Sequence, residues 1–144
     1  MKLTFEKPEN GWVSIKFEDN GFKLNFAASR IPENPINQFC SNLIQSAEGV
    51  DTITTFNIEP ELYFFKINHE NDNFNFDIIH REKPSQEISV FNKNGTFEEI
   101  ILPLFRSVKK FSTLNYSISD WEKIDSYRIE KLDIVIAKQK GGRK

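Results

Sequence analysis

The chain has 144 residues, of which 38% are hydrophobic and 28% charged, and its formal net charge at pH 7 is −2. This length is typical of one domain, and this composition excludes an intrinsically disordered chain. No apolar run reaches the roughly 18 residues of a membrane-spanning helix, and an N-terminus with Glu6, Pro8 and Glu9 does not fit a secretion signal.

A single cysteine, Cys40, cannot form an internal disulfide, which fits a reducing compartment. We therefore expect a soluble cytoplasmic protein, with one domain at residues 1–137 and a disordered basic tail at 138–144. The charge is unevenly distributed, because residues 1–99 are acidic overall and residues 100–144 are basic. This polarity could steer a charged partner, or the fold could interleave the two halves.

A β-hairpin is predicted at residues 12–28. Asn20-Gly21 favours a type I′ turn, because both turn residues need a positive φ. With this loop, one face is entirely apolar and the other polar, which supports the register. The apolar pairs are Phe17 with Leu24, Ile15 with Phe26, and Val13 with Ala28.

An amphipathic helix follows the hairpin. Asn34 is the expected N-cap, Pro35 the first helical residue and Gly49 the residue after the helix end. Apolar residues recur at helical spacing in between, which places Cys40 on the buried side. We therefore expect Cys40 to be a structural thiol rather than a nucleophile.

The middle of the chain is rich in strand signals. Strands are predicted at residues 52–58, 61–68, 74–80 and 87–91, which gives about six strands with the first hairpin. The strand from Glu61 is apolar on both faces, as in a central strand or one covered by a partner. We assign Tyr63, Phe65 and Ile67 to the core, and leave Leu62 and Phe64 on the other face.

Two further helices are predicted near the C-terminus. Thr96 and Glu99 form a capping box for the first, and Pro103 is expected to kink it. Asp120 is the expected cap of the second, whose end at residues 133–137 could be helix or strand. The predicted fold is α+β: an antiparallel sheet of about six strands with two to three helices packed mainly on one face.

Metal-ligating residue types cluster between His69 and His80, but a hairpin separates the two histidines by roughly 20 Å. Glu59 and Glu61 lack a companion base, and no glycine-rich phosphate loop occurs. A basic tail could contact nucleic acid, but a pI near 5.8 argues against it. We therefore predict no catalytic residues, no metal site and no cofactor, and we do not expect binding to nucleic acid or a membrane.

Two strings, ASRIPENP at residues 28–35 and FNIEPELY at 56–63, resemble small uncharacterised bacterial cytosolic proteins. Some of these look like immunity proteins encoded beside secreted toxins. The resemblance covers residues 10–110, and it implies a fold and a cellular context but no functional residues.

The sequence favours a non-enzymatic protein that binds another protein, such as a toxin, or associates with itself. The alternative is a small-ligand-binding or enzymatic domain whose pocket forms only in three dimensions. The predicted partner-binding residues are Trp12, Glu59, Glu61, Leu62 and Phe64. A competing possibility is that the C-terminal segment 121–136 folds back and covers Leu62 and Phe64.

Overall fold

The computed structural model describes residues 1–142, which form seven strands and three helices. The strands are β1 (Lys2–Phe5), β2 (Trp12–Asp19), β3 (Phe22–Ser29), β4 (Thr52–Asn57), β5 (Leu62–Glu70), β6 (Asn73–Lys83) and β7 (Gln86–Gly95). The helices are α1 (Pro35–Ala47), α2 (Leu102–Ser112) and α3 (Ser126–Gly141). Each strand pairs antiparallel with the next, so the predicted α+β class is confirmed, with seven strands rather than six.

The additional strand is β1. Its four residues are too few for the alternation of apolar and polar side chains to stand out in the sequence. Leu3 pairs with Phe17 and Phe5 pairs with Ile15, and all four side chains are buried. β1 therefore extends the apolar face of the first hairpin.

The β2–β3 hairpin has the predicted register, with Phe17 opposite Leu24 and Ile15 opposite Phe26. Asn20 and Gly21 have φ values of 45° and 88°, as a type I′ turn requires. The tip of this hairpin reaches β7, where Lys93 Nζ lies 3.2 Å from Asp19 Oδ1. The Phe17 ring also contacts those of Phe76 on β6 and Phe91 on β7, and the Phe26 ring stacks on Tyr63 of β5, so the hairpin packs across the inner side of these strands.

Helix α1 fills the gap between the two halves of the sheet. The Asn34 side chain accepts hydrogen bonds from two backbone amides of the first turn, which confirms it as the N-cap. Strands β3 and β4 pair only at Ser29 and Asn57. Beyond that pair, Asn42 donates to the Ile53 carbonyl, so side chains of α1 partly replace the missing strand on this edge of β4.

The capping box of the second helix forms as predicted, with Thr96 and Glu99 bonded to each other's backbone amides. Its first turn is π-helical, from Phe97 to Ile101, and the Leu102 amide bonds to the Phe97 carbonyl five residues earlier. Pro103 consequently lies in the first turn of α2, where a missing amide hydrogen costs little. A change from π-helix to α-helix thus occurs next to Pro103, where the kink is predicted.

The last helix begins at Ser126 after Asp125, not at Asp120, and it includes residues 133–137. Its continuation to Gly141 also differs from the prediction of a disordered tail from residue 138. Arg143 and Lys144 lie outside the described residues. No helix among residues 1–142 combines the length and apolar character needed to cross a membrane.

The three helices lie on one face of the sheet. In α1, the Phe39 ring contacts the rings of Phe5, Phe56 and Phe65, and α2 packs against β1. Helix α3 packs against α1 and α2. The alternative in which segment 121–136 covers Leu62 and Phe64 is therefore wrong, because this segment lies on the helical side.

Candidate functional site

The side of β4–β7 that faces away from the helices is called here the outer face, and it carries Ile53, Leu62, Phe64, Ile79 and Arg81. Alternation along β5 confirms the predicted division of its side chains, because Phe65 and Ile67 are buried on the inner side. Leu62 and Phe64 are only half-buried. Within residues 1–142, no helix packs over them.

Phe64 lies at the centre of the outer face. It pairs with Thr55 on β4 and with Ile79 on β6. The Arg81 guanidinium lies over the ring, 5.2 Å from its centroid, and also 3.6 Å from a carboxylate oxygen of Glu87. The ring is thus supported from both sides by its neighbours, and a cation–π contact partly covers it.

Trp12 belongs to the same side of the sheet. It pairs with Ser29, Ser29 pairs with Asn57, and Asn57 pairs with Leu62. Cross-strand partners point to the same face, and three strand spacings amount to roughly 14 Å. Trp12 is 39% exposed, and Ile31, held by a hydrogen bond from Asn57 to its carbonyl, is 63% exposed.

The two glutamates of the predicted partner-binding set separate. Glu59 is exposed in the turn between β4 and β5, at the rim of the outer face. Glu61 has its Oε1 atom 2.6 Å from Nε2 of His80, on the inner side of the sheet. The structure therefore places Leu62 and Phe64 on the outer face of β5, Trp12 three strands away from Leu62, and Glu61 on the opposite side of β5.

Glu61, His80 and Glu82 form a cluster at the end of β5 and β6. One ligand-type atom from each residue lies within 4.8 Å of those of the other two. The His80 ring stacks on Tyr63, with centroids 4.6 Å apart and an interplanar angle of 16°. Tyr63 stacks in turn on Phe26 at 4.3 Å.

Burial raises the pKa of the Tyr63 phenol, and the charges of Glu61 and Glu82 raise it further. The phenol therefore stays protonated at neutral pH. An acid–base role for Tyr63 that needed a phenolate near pH 7 would be opposed by both effects.

The sequence did not indicate this cluster because β6 is longer than predicted. The predicted strand ended at His80, whereas β6 continues to Lys83 and places Glu82 on the same face as His80. His69 pairs with Phe74 at the other end of the hairpin, so the two histidines are separated as expected. Had the predicted strand 74–80 been extended by three residues, to Lys83, it would have included both His80 and Glu82.

Cys40 is fully buried, as predicted from its place on α1. Burial raises its pKa to about 11. Since the thiolate is the reactive form, this raised pKa disfavours reaction of Cys40 at neutral pH.

We expect Cys40 to react with a water-soluble maleimide only when the protein is denatured, because the thiol is both inaccessible and protonated. Mass spectrometry of the native and urea-denatured protein after equal labelling times measures this. Cys40→Ala supplies the unlabelled control. Rapid labelling of the native protein would show that the Cys40 thiol is accessible, and Cys40 would again be a candidate nucleophile.

An open polar cleft of about 540 Å³ lies at the N-terminus of α1. Its charged lining residues are Arg30, Glu33, Glu122 and Arg128. Two cations and two carboxylates leave this cleft without a net charge.

Comparison of the chain with known proteins gave no match to a family model, to a curated protein or to a solved structure. The resemblance of residues 28–35 and 56–63 to immunity-like bacterial proteins therefore stays a prediction.

Proposed function

We propose that this protein binds another protein through its outer face and catalyses no reaction there. The observation that supports this most is the half-buried Phe64 at the centre of a sheet face that no described helix covers. Leu62 precedes it on the same face of β5, and Ile53, which is 53% exposed, lies on that face of β4. Aromatic side chains at the centre of a patch are typical anchors of protein interfaces.

The partner that fits this surface is a basic protein with an apolar centre to its binding site. Residues 48–77 contain seven carboxylates and one lysine. Exposed Glu59 and Glu87 lie at one end of the outer face, and exposed Glu70 and Asp72 lie at the other. Acidic rims of this kind accelerate association with a positively charged surface.

The most specific form of this proposal is an immunity protein that neutralises a bacterial toxin. A nuclease toxin has a basic substrate cleft, which an acidic surface could occupy by charge complementarity. The two resembling strings support the same context. Self-association through the outer face is the principal competing outcome, and the open cleft near Arg30 would serve the alternative of a small-ligand-binding domain.

The charge complementarity is tested with a partner captured from native lysate by the full chain and then purified. We expect the association rate constant to fall roughly tenfold between 0.05 and 0.5 M NaCl, because steering by exposed charges is screened by salt. The double variant Glu59→Gln, Glu87→Gln should also associate more slowly. Glu130→Gln, an exposed charge on α3, is the matched control and should have no effect.

Surface plasmon resonance at several salt concentrations measures these rates. An association rate that does not depend on salt would contradict a basic partner. Sedimentation of the protein alone distinguishes the competing outcome, because a dimer that Phe64→Ser dissociates would identify the partner as a second copy of the chain.

A further inference from the structure

We propose that Glu61, His80 and Glu82 form a binding site for a divalent transition-metal cation such as Zn²⁺. Ligand-type atoms of the three residues already lie within 4.8 Å of one another. Imidazole nitrogen and carboxylate oxygen are both common ligands of Zn²⁺ in proteins. The site is distinct from the outer face, because it lies on the inner side of the same strands.

The strand register produces this arrangement. His80 and Glu82 are two residues apart on β6, and although the pairing of β6 with β7 is irregular between Arg81 and Lys83, the ligand-type atoms of both residues lie within 4.8 Å of each other. Tyr63 pairs with His80, and Leu62 pairs with Arg81. Continuing this register by one residue places Glu61 opposite Glu82 and diagonal to His80.

The charges of the cluster favour a cation. Two carboxylates that face each other on neighbouring strands repel. Among residues 1–142, neither Glu61 nor Glu82 forms an ion pair with a lysine or arginine. The nearby Arg81 points to the outer face, where it contacts Phe64. A divalent cation would relieve the repulsion between the two carboxylates more fully than His80 alone.

Two of the three ligands, His80 and Glu61, are held in place before any metal binds. The His80 ring is fixed by stacking on Tyr63, which itself stacks on Phe26. The turn that carries Glu61 is closed by a hydrogen bond of 3.0 Å from the Ile58 amide to the Glu61 carbonyl. A site supported in this way on strands loses little entropy when the ion binds.

The cluster is also open to solvent. The side chains of His80 and Glu61 are 18% and 38% exposed, and Glu82 is exposed. Three protein ligands leave at least one position of a tetrahedral ion for water. The site therefore fits an exchangeable ion with an accessible coordination position better than a closed structural zinc.

Titration of the full, tag-free protein with Zn²⁺ in an isothermal calorimeter tests this inference. We expect one ion per chain. His80→Gln and Glu82→Gln should each weaken binding about tenfold or more, since even the loss of residues that only support metal ligands has such effects. His69→Gln and Glu130→Gln are the matched controls, and both should retain the wild-type affinity.

A second measurement separates metal binding from misfolding. The chain has two histidines, so nitrogen NMR of the imidazole rings resolves both. Zn²⁺ should shift the His80 Nε2 signal and leave His69 unchanged. Absence of stoichiometric binding, or equal affinity in the folded Glu82→Gln variant, would overturn the proposal. Loss of binding in His69→Gln would do so as well. None of these outcomes bears on the outer face.

Discussion

Phe65→Ala is expected to lower the free energy of unfolding by about 3–5 kcal/mol, the range typical of a phenylalanine deleted from a packed core. The Phe65 side chain is completely buried. Its ring centroid lies 4.5 Å from that of Phe56, 5.4 Å from Phe76 and 5.6 Å from Phe39. Because these rings come from two neighbouring strands and from α1, the structure cannot readily close the cavity.

Urea unfolding followed by circular dichroism measures this loss. Ile134→Ala is the control, because Ile134 is 67% exposed on α3 and should change stability by less than about 0.5 kcal/mol. A loss below about 1 kcal/mol for Phe65→Ala would show that the inner face of β5 is not the core.

The inner and outer faces of β5 could be predicted because its side chains follow a strict period of two. Phe65 and Ile67 lie on one side of the strand and Phe64 lies on the other, so a single choice of the buried side fixes all of them. The first hairpin was predictable for the same reason, together with the Asn20-Gly21 turn. In both elements the local pattern and the tertiary structure agree.

The start of α3 could not be predicted because long-range contacts override the capping signal of Asp120. The Asp120 side chain accepts a hydrogen bond from the Asn10 amide, and its carbonyl accepts one from the Gly11 amide. Trp121 is completely buried although it lies in a segment without regular structure. Contacts more than a hundred residues apart leave no signature in the local sequence.

The cluster of Glu61, His80 and Glu82 was missed for a different physical reason. Its residues are brought together by the pairing of β5 with β6, and that pairing depends on where each strand ends. The position at which a strand ends is set by hydrogen bonds to the neighbouring strand, and the intrinsic strand propensities of the residues do not encode these bonds. The outer face is likewise uncovered only because α3 packs on α1 and α2. The sequence did not decide between this position and one over Leu62 and Phe64.

Phe64→Ser should weaken binding of the partner by roughly thirtyfold or more, as truncation of a central aromatic anchor costs about 2 kcal/mol or more. The same substitution should change the melting temperature by no more than about 3 °C, because the half-buried ring contributes little to the core. Phe64 and Phe65 are adjacent in sequence, so opposite effects on binding and on stability separate the two faces of one strand.

The measurement that tests the outer face most directly is the dissociation constant of the purified partner for the wild type, Phe64→Ser and Ile134→Ser. Ile134 is a large exposed apolar residue on α3 and provides the matched control. We predict a loss of affinity of roughly thirtyfold or more for Phe64→Ser, with its melting temperature preserved, and no change for Ile134→Ser. Unchanged affinity of a folded Phe64→Ser protein would contradict the outer face as the binding surface.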